Sequence, residues 1–383
     1  MRVRHLDLTD FRNYGHAEVG FETGANLFVG RNGQGKTNLV EALGFLATLG
    51  SHRVSSDAPL VRAGTDAAII RARIAHDDRE VLLEAQINRV GANRAQVNRA
   101  KARPRDLARY FSSVLFAPED LLLVRGDPGA RRRFLDQLVV QRHPRLAGVL
   151  ADYERVLRQR NTLLKTARHA GPNGLGTLDV WDDRLVDLGA EIMDERLRLV
   201  AELAGPLAAA YVQVAGAEHG PGVAMVHSID ADAGDVETED LTPEDAPLGR
   251  AELAERMRAA VARVRPRELE RGVTLVGPHR DDLFLRLNAL PARGYASHGE
   301  SWSFALALKL ASAELLRAES SSGDPVLILD DVFAELDQER RRRLLGAVSD
   351  YEQVLVTSAV EEDVPRETSW TIHRVAAGTV TAG

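Results

Sequence analysis

Eight residues, Gly30-Arg31-Asn32-Gly33-Gln34-Gly35-Lys36-Thr37, carry the most specific chemistry in the chain. Their spacing, G-x-x-x-x-G-K-[ST], is that of a loop that wraps phosphate groups in backbone N–H donors. Gly30, Gly33 and Gly35 permit the tight curl that turns successive amides onto one anion. Lys36 brings a point charge to the β and γ oxygens, and the Thr37 hydroxyl is a hard ligand for Mg2+. Arg31, Asn32 and Gln34 complete the phosphate-binding loop. A second candidate is the carboxylate pair Asp330-Asp331 behind the apolar run Val326-Leu327-Ile328-Leu329. Asp330 would hold Mg2+, directly or through water, and Asp331 would orient or deprotonate the attacking water. Alone, the pair reads equally as a helix N-cap; beside the phosphate loop the metal reading is preferred. The third candidate is Ala296-Ser297-His298-Gly299-Glu300-Ser301, ahead of an apolar-rich helix over Phe304 to Arg317. Ser297 and Gly299 offer an anion seat at a helix N-terminus, but Ser297 with Glu300 is also an ordinary capping box. Without other motifs the capping box is the simpler reading.

These side chains need particular elements to hold them. Ala25 to Val29 reads as a buried strand before the loop, and Leu39, Leu43, Leu46 and Leu49 recur at helical spacing after it. The run Val326 to Leu329 suits a parallel strand covered on both faces, with its carboxylates at the end where α/β sheets bind ligands.

At 383 residues the chain exceeds a usual single core, so two lobes or an insertion are expected. There is no cysteine, which excludes disulfides, thiolate nucleophiles and zinc–thiolate sites. No apolar run approaches the ~18 residues of a membrane span, and Met1 to Asp7 has no signal-peptide core. The expectation is a cytoplasmic protein with no membrane association. The formal net charge is −7, but the charges segregate. Asn88 to Arg109 holds seven basic residues (Arg89, Arg94, Arg99, Lys101, Arg103, Arg105, Arg109) against Asp106, whereas Ser228 to Pro247 holds eight acids and no base.

Taken in order, Ala67 to Ala75, Glu80 to Asn88 and Asn93 to Asn98 read as a meander of strands. Asp127-Pro128 is a helix start. Leu146, Leu150, Tyr153, Leu157 and Leu164 follow a four-three alternation that Arg160 interrupts, and Leu178, Leu185, Ile192 and Leu199 are spaced by sevens. Joined by the loop Gly171 to Gly176, these read as an antiparallel coiled-coil hairpin with arms of about 25 residues, or as two helices of a bundle. The acidic stretch reads as a solvated loop. Ala251 to Val264 reads as a helix ended by Pro266, and Val273 to Val276 as a strand.

The order of phosphate loop, long insertion, Ser-x-Gly-Glu, apolar-Asp-Asp and Glu335-Leu336-Asp337 is that of an ABC-type ATPase head. Within that superfamily the chain resembles the RecF family, ATPases of bacterial DNA replication and recombination repair. The resemblance rests on Phe11-Arg12-Asn13-Tyr14, Gly30 to Asn38 with Glu41-Ala42, Phe116-Ala117-Pro118-Glu119-Asp120, Arg132-Arg133-Phe134-Leu135-Asp136, Gly277-Pro278-His279-Arg280-Asp281-Asp282 and Asp330 to Asp337. It implies an α/β fold: an ABC-type head, a P-loop NTPase with a mixed sheet flanked by helices, carrying an inserted α-helical arm lobe. The head is expected at 1–118 plus 273–383 and the arm at 119–272. It implies ATP and Mg2+ as ligands, with Arg12 and Asn13 joining the loop. It also implies an ATP-dependent homodimer, in which Ser297, Gly299 and Glu300 complete the γ-phosphate site of the other copy. Lys36 and Asp331 would be the catalytic residues of a weak DNA-stimulated ATPase used as a switch. The implied partners are DNA at gaps or single-/double-strand junctions, RecR and RecO, and functionally RecA, in a role that supports SOS induction.

The chain departs from that pattern in four places. Asp331 stands where many ABC ATPases carry Glu, and Thr357-Ser358 where many carry a histidine. The signature ends in Glu300-Ser301-Trp302 where Gln and Arg are common, and His52 replaces a usual aromatic. DNA contact is expected from Arg89, Arg94, Arg99, Lys101, Arg103 and Arg105, with Arg109 and Arg131 to Arg133. No aromatic lies inside the basic stretch, which favours contact with the phosphate backbone over base stacking. For Arg131 to Arg133, pairing with acids of the arm is an equal alternative. Other readings are an SMC-class head or another soluble ABC head with a structural or translational role, or a transporter subunit. The arm length, the single phosphate loop and Gly277 to Asp282 argue against them. No metal cluster supports a nuclease.

Overall fold

The computed structural model describes residues 1–170, 178–230, 248–320, 323–365 and 368–383. The glycine loop and most of the acidic stretch therefore lie outside the described residues. In chain order, β1 (Arg2–Phe11), β2 (Tyr14–Gly20) and β3 (Gly24–Val29) lead into α1 (Lys36–Thr48). Next come β4 (Ala67–His76), β5 (Arg79–Asn88), β6 (Arg94–Val97), β7 (Ala100–Ala102) and β8 (Ser113–Phe116). The helices α2 (Leu121–Arg125), α3 (Pro128–Arg142), α4 (Leu146–Ala170) and α5 (Leu178–Ala215) follow, then β9 (Gly222–Val226) and α6 (Arg250–Arg271). The chain continues through β10 (Asp282–Leu287), β11 (Leu290–Pro291), α7 (His298–Glu319), β12 (Val326–Asp330) and α8 (Gln338–Val348). It closes on β13 (Gln353–Ser358), β14 (Thr371–Ala376) and β15 (Thr379–Ala382).

Two compact units result, one from Met1–Leu121, Pro206–His219 and Ser297–Gly383, the other from Leu122–Gly205 and Gly220–Ala296. These bounds differ from the expected ones. Residues 273–296 join the second unit because β10 pairs with β9, and 206–219 join the first, where Tyr211 packs on Phe304.

The first unit holds two six-stranded sheets. One, in the order β2-β1-β4-β5-β6-β7, is antiparallel throughout. Its strands alternate: Leu6, Leu8, Ile70, Ile74, Leu83 and Ile87 are buried, while Arg71 on the other face bridges Asp7 and Glu84. The other sheet runs β15-β14-β3-β13-β12-β8, with β14, β3, β13, β12 and β8 parallel. Strands β12 and β13 are buried at every position, as strands covered on both faces must be. Helix α1 shares one core with both sheets through Leu39, Leu43 and Leu46, so nearly every side of it is apolar. The C-terminal ends of β3, β12 and β13 lie side by side, which brings Gly30, Asp330 and Ser358 together.

The second unit is a helical bundle with a three-stranded sheet ordered β11-β10-β9. Arg160 of α4 bonds Asp182 of α5, and Arg145 just ahead of α4 bonds Glu195 further along α5, so the two helices run antiparallel. They are not a bare coiled coil. Helix α6 joins them, since its Glu268 takes Arg160 and its Arg265 takes Asp182. The interruption at Arg160 is thereby explained: its side chain is 0% exposed, saturated by Asp182, Glu268 and the Thr274 hydroxyl. Two expectations fail here. Helix α6 continues through Pro266 to Arg271, and Val273 to Val276 forms no strand. Helix α5 also has an 18-residue window of mean hydropathy 1.2, which meets the length and composition of a membrane span. Within that window Leu197, Leu199, Val200, Leu203, Leu207 and Tyr211 are instead buried in the protein, and Arg198 and Glu202 interrupt it.

Candidate nucleotide site and nucleic-acid surface

The loop Gly30 to Thr37 leaves β3 and enters α1 through Gly33 (φ 80°) and Gly35 (φ 117°), backbone that disfavours any Cβ. Gly30 also needs its missing Cβ, which would stand 2.1 Å from the Val375 carbonyl. Three neighbours pin the loop. Tyr14 Oη donates to the Gly35 carbonyl (3.0 Å), Asn13 Nδ2 to the Gln34 carbonyl (3.1 Å), and the Ala377 N–H to Gln34 Oε1 (2.7 Å). Helix α1 has no side-chain N-cap and no acid in its first turn, so its leading N–H groups have no partner within the helix. Lys36 is 3% exposed, and among the described residues it has no carboxylate partner, only a 3.5 Å contact with Asn32 Oδ1. A buried ammonium at an uncapped helix N-terminus fits a polyphosphate.

Arg12 and Asn13 support the loop. Arg12 is held to the fully buried Glu41 by paired bonds of 2.8 and 2.6 Å, and Asn13 accepts from Asn38 at 2.8 Å.

At the end of β12, Asp330 Oδ1 accepts from the hydroxyls of Thr357 (2.6 Å) and Thr37 (3.1 Å). Thr357 in turn accepts the Asp331 N–H at 2.9 Å. Oxygen-only donors from Thr37 and Asp330 suit Mg2+. Asp331 sits at φ 49°, left-handed backbone that aspartate tolerates, and heads a short turn over Val332–Glu335. Burial pushes the Asp330 carboxyl up to about 6, the hydroxyl bonds opposing it and the charges of Asp331 and Glu119 adding to it. A raised folded-state value means that the folded protein binds this proton more tightly than the unfolded chain does. Stability from this group is thus present below about pH 4 and lost as pH rises through about 6. Asp330→Asn is expected to raise the nucleotide-free melting temperature at pH 7 and to flatten its fall between pH 4 and 6. Thermal unfolding across that range, with Asp330→Asn no more stable than the parent, would contradict the assignment.

Ser297 caps α7: its Oγ accepts the Glu300 N–H at 3.3 Å, and Glu300 Oε2 accepts the Ser297 N–H at 2.8 Å. The capping box read from sequence is therefore present. The hydrogen bonds from Ser297 hold the Glu300 carboxyl below its usual range. Gly299 lies under the Arg340 guanidinium, 3.0 Å from where a Cβ would stand, so a side chain here would displace that cation. Among the described residues no hydrogen bond or ion pair joins Ser297, Gly299 or Glu300 to the phosphate loop. Further along α7, Lys309 pairs with Asp120 at 2.9 Å, tying this helix to the segment that carries Glu119.

The basic stretch forms the β5–β6–β7 end of the antiparallel sheet. Arg94, Arg99, Lys101, Arg103 and Arg105 are exposed and without an ion pair among the described residues. Gln96 lies opposite Lys101 in register, which sets Arg94, Lys101 and Arg103 on the face away from buried Ala95. Arg99 sits at the tip of the β6–β7 turn. Arg89 is different: it donates to the carbonyls of Val61, Arg62 and Thr65, and it closes a turn. In the second unit Arg131 is buried in a bidentate pair with Asp282, and Arg132 bonds the Asp281 carbonyl. Pairing with an acid is thus the outcome for Arg131, Arg132 is taken up by a backbone carbonyl, and Arg133 stays exposed.

Residues 2–377 match the family model of the RecF/RecN/SMC N terminal domain. The DNA replication and repair protein RecF of Leifsonia xyli subsp. xyli is 63% identical, over 99% of each chain. That of Clavibacter michiganensis subsp. michiganensis is 62% identical, over 99% of this chain and 96% of its own. The chain belongs to the RecF family. A solved structure of the recombination mediator protein RecF with ATP in the RecFOR pathway matches at TM-score 0.86 and 26% identity, over 100% of this chain and 97% of the other. An Smc head domain from Pyrococcus furiosus, with TM-score 0.52 and 15% identity over 100% and 95%, shares the fold.

Two departures from the RecF family pattern have visible causes. Trp302 is 3% exposed, stacks edge-on against Phe116 and donates to His298. His52 fills an aromatic's place as a neutral ring, its pKa lowered by burial and its Nε2 buried without a partner among the described residues. The motif Gly277 to Asp282 is the hub of the second unit. Ser228 and His227 bond Asp281, Tyr153 bonds His279, and Arg196 bonds the Pro278 carbonyl while pairing with Asp136. Sequence reading singled out Glu41 and Thr357 without their partners, Arg12 and Asp330, and it missed Lys309.

Proposed function

We propose that this chain is an ATP-switched DNA clamp of bacterial replication and recombination repair, acting in the cytoplasm. The observation that carries the reading is the buried Lys36 at the uncapped N-terminus of α1, without a carboxylate partner among the described residues, next to Thr37, whose hydroxyl bonds the strand-end Asp330. Thr37 and Asp330 hold Mg2+, which offsets charge on the terminal phosphates. Asp331 orients the attacking water, and its short side chain favours slow hydrolysis. Ser297 and Gly299 of one copy complete the site on Lys36 of another, so that nucleotide links two copies and hydrolysis releases them. Among the described residues neither is joined to the phosphate loop of its own chain by a hydrogen bond or ion pair, which is consistent with this reading. By likeness to the RecF family, the clamp acts at gaps and junctions with RecR and RecO, helps to load RecA and supports SOS induction. Its ATPase is weak and DNA-stimulated, and nuclease activity is not expected. Sedimentation with ATP, ADP or no nucleotide, with and without gapped duplex, tests the proposal. Dimers are expected in ATP alone and are strengthened by DNA; dimers that form equally without nucleotide would sink the sandwich.

DNA contact is assigned to Arg94, Arg99, Lys101, Arg103 and Arg105, with Arg89 withdrawn to its structural role. Arg99→Ala with Lys101→Ala is expected to weaken duplex binding about 10-fold near 0.1 M salt and to flatten the log–log salt slope by about 2. Unchanged affinity and slope in a salt titration would make this edge a solvated face only.

A further inference from the structure

The face of the antiparallel sheet that looks away from α1 carries a cluster used by neither the nucleotide site nor the basic edge. His16 and Glu18 alternate along β2 with the buried Ala17 and Val19, so both project to that face. In register, Glu18 stands directly opposite Asp7 of β1. One ligating atom from each of Asp7, His16 and Glu18 lies within 4.8 Å of the other two. His16 Nε2 and Glu18 Oε1 are 3.4 Å apart. That is the ligand-to-ligand separation around a tetrahedral ion whose bonds are about 2.0–2.1 Å long. An imidazole with two carboxylates suits a transition dication such as Zn2+ better than Mg2+, which prefers oxygen alone. Three protein ligands leave a fourth position for water. Sequence reading found no metal cluster, because strand pairing alone brings Asp7 to the other two.

The charges around the cluster also call for a cation. Asp7 and Glu18 are like charges directly opposite on paired strands, which destabilises the pairing. Arg71 of β4 reaches Asp7 at 3.3 Å, but it also bonds Glu84 of β5. With the imidazole neutral, as a ligand must be, three carboxylates face one guanidinium, and a dication cancels the two remaining negative charges. We propose that Asp7, His16 and Glu18 form a surface site for a transition dication of the Zn2+ class. Glu18, Asp7, Arg71, Glu84, Gln96 and Lys101 stand opposite one another in turn across all six strands, so the site and the basic edge share one face. At ~4.8 Å per strand the two ends are about 24 Å apart, on the order of seven base pairs of duplex. Duplex lying along that row meets cations at one end and carboxylates at the other, and the bound ion removes the repulsion. This consequence, unlike the site itself, rests on the DNA reading above.

The test titrates the chelator-treated full chain with Zn2+ by calorimetry and with Co2+ by visible absorption, without nucleotide, so that no phosphate-held metal contributes. His16→Ala and Glu18→Gln are each expected to weaken binding by about 10- to 100-fold or more, since the loss of even an outer partner of a ligand costs that much. His143→Ala, which removes an exposed imidazole beside Glu195 only, is expected to bind like the parent. Excess Mg2+ should not displace the ion. Zn2+ should raise the melting temperature of the parent and not that of His16→Ala. A parent that binds no more tightly than His16→Ala, or that loses the ion to an equal concentration of Mg2+, overturns the site. Duplex binding at low salt is then measured with and without Zn2+, and the ion is expected to strengthen it several-fold in the parent but not in His16→Ala. If the ion binds as specified and duplex affinity is unchanged, the site stands and its part in DNA contact is overturned. If Arg99→Ala with Lys101→Ala also leaves duplex binding unchanged, it is the DNA reading of this face that fails.

Discussion

Lys36→Met is expected to lower ATP affinity by about 100-fold or more and to remove ATP-dependent dimerisation with it. In the proposed site the ammonium would meet two phosphate oxygens, and a hydrogen bond to a charged group contributes roughly 1.5–3 kcal/mol. Methionine matches the length and volume of the lysine stem, so the wall of α1 stays filled. The fold should not suffer. Among the described residues Lys36 makes only a 3.5 Å contact with Asn32, and it is almost fully buried, so a charge without a carboxylate partner there is being removed from the interior. The melting temperature should therefore be unchanged or slightly higher, which separates lost binding from lost structure. Titration calorimetry checks the first part and thermal unfolding the second. A variant that binds ATP within threefold of the parent would place the phosphates somewhere other than this loop.

Arg160→Leu is expected to cost about 3–5 kcal/mol of stability, the range for breaking a buried ion pair from one side. Arg160 and Glu268 are both 0% exposed and 2.6 Å apart. Removing the guanidinium leaves Asp182 with Arg265, but it leaves the Glu268 carboxylate without the cation it faces. The Thr274 hydroxyl, which accepts from Arg160, loses a donor as well. Urea unfolding reads the loss as a lower midpoint at constant slope. Arg160→Leu combined with Glu268→Leu should regain most of it, because two apolar side chains of similar bulk can replace a buried pair at little cost. A single variant within 1 kcal/mol of the parent would mean that the pair is solvated in solution.

How much of this was legible depended on the range of the interaction involved. The phosphate loop could be read directly, because its function is local. Glycines at fixed offsets shape eight consecutive residues, and the strand before and helix after show in the spacing of Phe28, Leu39 and Leu43. Strands β4 and β5 were equally plain, since alternation records a half-buried face. The failures have a common cause. Val273 to Val276 is apolar enough for a strand, but it is held as an irregular segment by Arg160, Asn161 and Glu268 from two helices. Pro266 does not end α6, because the helix is packed on both sides of it and Gly272, at φ 69°, supplies the stop. Arg89 looked like a free cation, and Arg131 stood equally between DNA and an acid, because a sequence shows charge and not partners; the carbonyls of Val61, Arg62 and Thr65 and the carboxylate of Asp282 are far away along the chain.

The sequence by itself determined the nucleotide chemistry, the parallel strand with its terminal carboxylates and the family, because each is written in contiguous residues whose types are dictated by backbone shape or by a ligand's charge. Tertiary structure decided the rest: that Thr357 steadies Asp330, that Glu41 takes Arg12 and that Arg160 is a core residue. Those are matters of which side chains meet once strands and helices have packed. Spacing along the chain does not encode such meetings when residues 20 to 300 positions apart share one desolvated pocket, where an unpaired charge costs several kcal/mol and a paired one almost nothing.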